Sequence, residues 1–324
     1  MIHSVFHAIG VFFDHLTAVE WKWLALGIGT HLCKLMAVSR AWQNIVRAAY
    51  PDRKVRWRQM FGSYVAGTGV NAIIPARGGD VVRLFLAKHR IEGSTYTTLV
   101  STSLLQTLFD MVLASCFVLW ALTQHVLPGI DVLKSPSLPS LDYGWALRHP
   151  TVGLILFGLL LLFGTALIAW LAERVDEFKA KVAQGFAAFR DRSYYFRSVV
   201  PFQLADWSLR LATIFFFLRA FGIPATVHNV VLVQVSQSLA TILPVSPGGI
   251  GTEQAFLVYV FRDVVAKSAA LSFSVGMRVT LTIVNAVVGF SAILLMTGTL
   301  HVRRVAEADR AGGEPARVKA SDGR

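Results

Sequence analysis

Twice in this chain a long apolar run is broken by prolines and glycines and then resumes. The first break is "NAIIPARGGD", residues 71–80, and the second is "TILPVSPGGIGTEQ", residues 241–254. Irregular backbone inside hydrocarbon exposes amides and carbonyls that lipid cannot satisfy. It persists only where neighbouring protein or a water-filled cavity takes their hydrogen bonds. Each break is therefore expected to form the tip of a helical hairpin buried within a membrane protein.

The rest of the chain fits that setting. Charged residues make up 15% of its 324 residues, against about 25% in soluble domains, and the mean hydropathy is +0.55. The clearest span is "TVGLILFGLLLLFGTALIAWL", residues 151–171, long enough to cross the hydrocarbon. The net charge of +12 comes from basic segments lying between apolar runs, as in cytoplasmic loops. That distribution argues against a nucleic-acid surface. Cys33 and Cys116 sit inside apolar runs and are expected to be buried packing groups. No cleavable signal peptide is visible.

Helical spacing of Ile2, Val5, Phe6, Ile9, Phe12, Phe13 and Leu16 predicts an interfacial amphipathic helix over 1–20. A membrane repeat then covers 21–123, with a hairpin at 57–92 between two full spans. Residues 124–198 supply a linking span and a basic cytoplasmic loop, and a second repeat covers 199–299 with its hairpin at 229–266. The tail, 300–324, reads as disordered and cytoplasmic. Only hairpins that dip in and return keep every basic region on one side of the membrane. The expected fold is thus an all-α polytopic membrane protein with five full spans, its N-terminus outside and C-terminus inside. Its inverted repeats each carry a re-entrant helical hairpin, an arrangement common in secondary transporters.

At the first tip, Asn71, Pro75, Gly78 and Gly79 shape the reversal, and Asp80 is expected to cap the returning helix. Free amides at that helix start, beside Arg77 and Arg83, suit a phosphate. At the second tip, Pro244, Pro247, Gly248, Gly249 and Gly251 make the turn. Thr252 or Ser246 is expected to cap the next helix, with Glu253 in its first turn. Lys34, Asp110, Asp206, Arg210 and Arg278 lie inside apolar spans, where exposure to lipid costs about 2.5 to 3.5 kcal/mol each. Asp206 and Arg210, four residues apart, are expected to pair. Lys34 is expected to reach the inner interface, and Arg278 to lie near the midplane. His31 reads as a packed polar group, while Gln234, Gln237 and Asn285 line a cavity or join helices. The residues expected to bind a head group are Arg77, Asp80, Arg83, Ser246, Glu253 and Arg278. No catalytic motif, metal spacing or cofactor fingerprint is found in the sequence, so neither a metal nor a cofactor is expected.

The two tips carry a resemblance. Asn71, Pro75, Arg77, Gly79, Asp80 and Arg83, with Pro244, Ser246, Pro247, Gly248, Gly249, Gly251 and Glu253, resemble the flippase-like transmembrane family named after lysylphosphatidylglycerol synthase. The likeness covers roughly residues 20 to 300. Asp80 stands where that family usually has Glu, and the soluble aminoacyl-transferring domain of the fused synthases is absent. The resemblance implies movement of an anionic or polar-headed lipid, a phospholipid or polyprenyl phosphate, between leaflets of a bacterial or archaeal cell membrane, without enzymatic chemistry. The alternatives are a membrane-embedded enzyme acting on a polyprenyl phosphate, with Asp80 or Glu253 as base, and a non-catalytic membrane partner of a lipid synthase. Membrane lipid is the expected partner and nucleic acid is not. A lipid synthase or glycosyltransferase partner and homo-oligomerisation are both compatible with the sequence.

Overall fold

The computed structural model describes residues 19–74, 78–123, 176–242, 251–262 and 264–297, and they are helices and short turns. The linking span at 151–171, the tail, and the interfacial helix except for its last two residues lie outside the described residues.

The first helix, α1, runs Trp21–Ala49. A basic turn leads to α2, Trp57–Ile73, which stops where Ile74 becomes extended ahead of Pro75, as a residue preceding proline should. Helix α3, Gly78–Arg90, ends on Lys88, His89 and Arg90, cations that suit a helix C-terminus. Helix α4 spans Tyr96–Thr123. Three short helices follow: α5, Asp176–Gly185; α6, Ala187–Arg190; and α7, Arg192–Tyr194. A π turn over Tyr195–Val199 joins α7 to α8, Val200–Ala220, which has proline in its first turn where no amide is missed. The chain ends with α9, Val227–Ile242, α10, Thr252–Val260, and α11, Lys267–Thr297.

Helices α1 and α8 lie antiparallel along their length: Glu20 N–H donates to Ala220 O at 2.9 Å, Thr213 bonds Thr30 at 3.1 Å, and Asn44 bonds Ser198 O. Around this pair the contacts repeat. Helix α2 packs on α3 and α11, while α9 packs on α10 and α4. The α2–α11 contact is backbone on backbone. A Cβ at Gly69 would lie 2.6 Å from Gly289 Cα, and one at Gly62 would strike Met296 Sδ. This antiparallel register puts the end of α2 level with about Asn285, near the midpoint of α11. Helix α10 starts beside Arg278, where Glu253 meets it at 3.2 Å. The ends of both hairpins therefore stand within about 10 Å of one another along α11.

Large apolar side chains lie on the outer surface, and several polar ones are buried. Val100, Leu104, Leu108 and Val112 form an exposed stripe on α4, as do Val279, Ile283 and Val287 on α11. Gln43, Gln106, Gln203, Asp206, Thr213 and Gln234 are buried. Among the described residues, two helices are long and apolar enough to cross a membrane, over Tyr96–Trp120 and Lys267–Met296. Helices α1 and α8 are 29 and 21 residues long, and their lower hydropathy comes from ionisable residues such as Lys34, Asp206 and Arg210, which face other helices. The two cysteines differ from expectation. Cys33 and Cys116 are both exposed, on apolar outer faces where a small thiol needs no partner.

Gly69→Leu should destabilise the fold by about 3 kcal/mol, because the backbone it meets has no flexible end to move aside. Gly29→Ala, with nothing within 4 Å of a new Cβ, should be neutral or stabilising by up to about 1 kcal/mol. Thermal unfolding in detergent checks both, and equal behaviour of the two variants would contradict the packing.

Candidate functional site

The site is organised around Arg83. Helix α3 carries its guanidinium to 3.8 Å from the Trp42 ring centroid and 4.5 Å from that of Tyr64. One terminal nitrogen donates to Gln106 Oε1 at 3.0 Å. Four helices thus meet on one cation. Aromatic faces stabilise a desolvated cation by about 2 kcal/mol, which explains how Arg83 can sit away from water. Gln106 in turn donates to Val38 O at 3.3 Å, and the Trp42 indole donates to Thr102 at 3.2 Å. The Arg83 Nε is buried without a hydrogen-bond partner among the described residues.

Beside it lies a cavity of about 330 Å³, whose lining includes polar Tyr64, Asp80, Arg83, Gln106 and Asp110 and apolar Val100 and Leu104. Leu104 is 48% exposed, so the cavity adjoins the exposed apolar stripe of α4.

Asn71 prepares the tip of the α2–α3 hairpin. Its Oδ1 accepts the Gly79 amide at 2.7 Å, and its Nδ2 donates to Asp80 Oδ1 at 3.2 Å. Asp80 was expected to cap α3. The helix instead begins at Gly78 and Asp80 is its third residue, where the dipole still favours a carboxylate. Gly79 packs against the Gly67 carbonyl so closely that a Cβ there would collide.

The second tip follows the same plan. Gln237 donates to Glu253 Oε1 at 3.2 Å, as Asn71 does to Asp80, and Arg278 meets Glu253 Oε2 at 3.2 Å. Thr252 does not cap α10, and Ser246 lies outside the described residues. Gly251 takes that position with a φ of +89°, a conformation side chains rarely adopt, and its amide donates to Gln254 at 2.7 Å.

Between the tips, Lys34, Asp110 and Arg210 fall near the midpoints of α1, α4 and α8. Arg210 meets Asp206 at 3.2 Å and lies 4.5 Å over the Trp207 ring. The Trp207 indole donates to Asp110 Oδ1 at 2.9 Å. Lys34 interacts electrostatically with Arg210, Asp206 and Asp110. It therefore points into the protein rather than to the interface, since three charges face it. His31 is buried and joins Asn285 Oδ1 at 2.8 Å, tying α1 to α11.

The structure thus brings Asp80, Arg83 and Asp110 to one cavity and Glu253 and Arg278 to a second locus. Arg77, Ser246, Pro75, Pro244, Pro247, Gly248 and Gly249 lie outside the described residues. Sequence reasoning missed Trp42, Tyr64, Gln106 and Trp207. Gln106, four residues before Asp110 and so on the same face of α4, carried a signal. The aromatic residues carried none, because rings are common in any span.

A family model for the lysylphosphatidylglycerol synthase transmembrane region matches residues 8–289, which include both hairpins. The chain belongs to this family. It is also similar to a UPF0104 membrane protein of Methanocaldococcus jannaschii, 22% identical over 60% of this chain and 79% of the relative. No solved structure matches. As a member of the lysylphosphatidylglycerol synthase transmembrane family, the chain is an integral membrane protein.

The Asp206 side chain is only 2% exposed, so Asp206→Asn, which leaves Arg210 unpaired, should cost on the order of 3 kcal/mol. Asp206→Asn with Arg210→Gln removes the pair as a unit and should cost clearly less. A thermal-shift series in detergent decides, and additive losses would show that the two residues act independently.

Proposed function

We propose that this protein is a flippase: it carries a polar-headed, phosphate-bearing lipid between leaflets and leaves the lipid chemically unchanged. The observation that carries the reading is the cavity beside Arg83. Asp80, Arg83 and Asp110 line it together with Val100 and Leu104 of α4, apolar residues that are also exposed on the outer surface. A head group fits such a cavity while its acyl chains stay in the bilayer.

The arrangement of helices supports the same reading. Each hairpin is taken as re-entrant, its tip near the middle of the membrane, with the α2–α3 hairpin entering from the basic face and α9–α10 from the opposite face. The exchanged contacts, α2 on α11 and α9 on α4, are those expected of two repeats related by an axis in the membrane plane. Rocking of one repeat against the other then exposes the cavity to each leaflet in turn. The head-group contacts proposed are Arg83, Asp80 and Arg77 from the first hairpin, Glu253 and Ser246 from the second, and Arg278 from α11. The host membrane is a bacterial or archaeal cell membrane, and a separately encoded lipid synthase or glycosyltransferase is a fitting partner.

Reconstitution in vesicles carrying a fluorescent lipid in one leaflet tests the proposal. The protein should speed lipid exchange well above protein-free vesicles, with the lipid recovered intact. Arg83→Gln should slow exchange by about tenfold to a hundredfold, the value of one charge-assisted hydrogen bond, and Arg83→Lys should recover part of it. Exchange at the protein-free rate would refute transport, and a chemically altered lipid would favour the membrane-embedded enzyme.

A further inference from the structure

The described chain between α4 and α8 packs at one end of the bundle and takes no part in the cavity. Its inner side is seated on α1 and α4. Thr98 donates to Lys181 O at 3.0 Å, Gln184 donates to Ala49 O at 2.8 Å, and a Cβ at Gly185 would collide with Ser101. Further along, Ala188, Tyr195 and Val199 are buried against Ile45 of α1 and Leu105 of α4. Tyr194 Oη donates to Asn44 O at 2.9 Å.

The outer side has a different chemistry. Phe189 is 45% exposed and Phe196 is 65% exposed. Both flank the Tyr195 ring, with centroids 4.6 Å and 6.0 Å from it, so the two rings belong to one patch. Arg190, Arg192 and Arg197 are exposed within the same stretch, and Arg47 and Arg40 of α1 act electrostatically on Tyr194. Asp191 is the one carboxylate within 186–199, and its Oδ1 accepts the Tyr194 amide at 3.0 Å. Among the described residues, no carboxylate forms an ion pair with Arg47, Arg190, Arg192 or Arg197. The patch is therefore aromatic, strongly cationic and without an internal counter-charge.

We propose that Phe189, Phe196, Arg190, Arg192 and Arg197 form a docking surface for anionic phospholipid head groups of the adjoining leaflet, separate from the cavity. Rings mixed with cations are the composition of a membrane interface, where the ring enters the acyl boundary and the guanidinium meets phosphate. The position agrees, since α8 begins at Val200 directly after the patch and runs along α1 into the bundle. An acidic soluble protein would match the charge, but the leaflet supplies both phosphates and an apolar boundary at this level. The proposal requires that the protein sit in a membrane, as its family does, and not that it move lipid.

Lipid-dependent quenching tests it. The full chain, with Cys33 and Cys116 replaced by alanine and carrying Ser193→Cys, is labelled with a fluorophore and reconstituted in phosphatidylcholine vesicles. Phosphatidylglycerol or phosphatidylcholine with brominated acyl chains is the quencher. The anionic lipid should reach half-maximal quenching at a membrane fraction at least about fivefold lower, the worth of one arginine at an anionic surface. High salt should shrink that difference. Arg190→Gln with Arg192→Gln and Arg197→Gln should bring the two lipids level, and each single variant is read in the same way if the triple variant is unstable. Equal quenching of the unsubstituted surface by both lipids, or a full preference kept by the folded variants, overturns the proposal. A label that neither lipid quenches also overturns it, and leaves the surface to a soluble acidic partner.

Discussion

A charged side chain in hydrocarbon must be turned towards protein, and this structure is arranged around that requirement. Lys34, Asp110, Asp206 and Arg210 sit near the middle of long helices, where lipid would penalise each by about 2.5 to 3.5 kcal/mol. Each instead faces another helix. Arg83 is the strongest case, since its guanidinium is shared by the Trp42 and Tyr64 rings and Gln106. That single contact fixes the spacing of α1, α2, α3 and α4. Burying charge in this way leaves the outer faces free to be apolar, which is why Val100, Leu104 and Leu108 are exposed.

The same requirement explains the hairpins. In the proposed re-entrant arrangement a helix that ends within the membrane leaves backbone groups unsatisfied, and side chains of the first arm hold the start of the second here. Asn71 accepts the Gly79 amide and bonds Asp80, and Gln237 bonds Glu253. The two hairpins use one device, an amide on the first arm donating to a carboxylate on the second. They differ in what completes it. Glu253 is held by Arg278 of α11, whereas Asp80 opens onto the cavity. Glu253 thus has a cation partner already, while Asp80 faces the space that the proposed head group would fill.

Much of the architecture was legible in the sequence. Apolar runs broken by "NAIIPARGGD" and "TILPVSPGG" marked both hairpins, because proline and glycine punctuate helices whatever surrounds them. Asp206 with Arg210 was legible because four-residue spacing fixes a helical face. The helix caps were not. Asp80 has the chemistry of a cap, yet α3 is already helical at Gly78, and it is Asn71 of α2 that takes the Gly79 amide. Lys34 was misplaced for a similar reason, since its direction depends on α4 and α8, which no local pattern reports. The Arg83 clamp was also hidden, since it unites residues from four helices and appears only once they pack.

The account depends on two hairpins that enter from opposite faces and stop near the middle. Labelling single cysteines with a membrane-impermeant thiol reagent in sealed, oriented vesicles tests this most directly, after the native exposed Cys33 and Cys116 are replaced by alanine. Cysteines at Arg56 and Arg90, which flank the first hairpin, should both label from the cytoplasmic side. Cysteines at Val227 and Val264, which flank the second and are 80% and 42% exposed, should both label from the other side. If the two positions flanking either hairpin label from opposite sides, that segment crosses the membrane and the account is wrong.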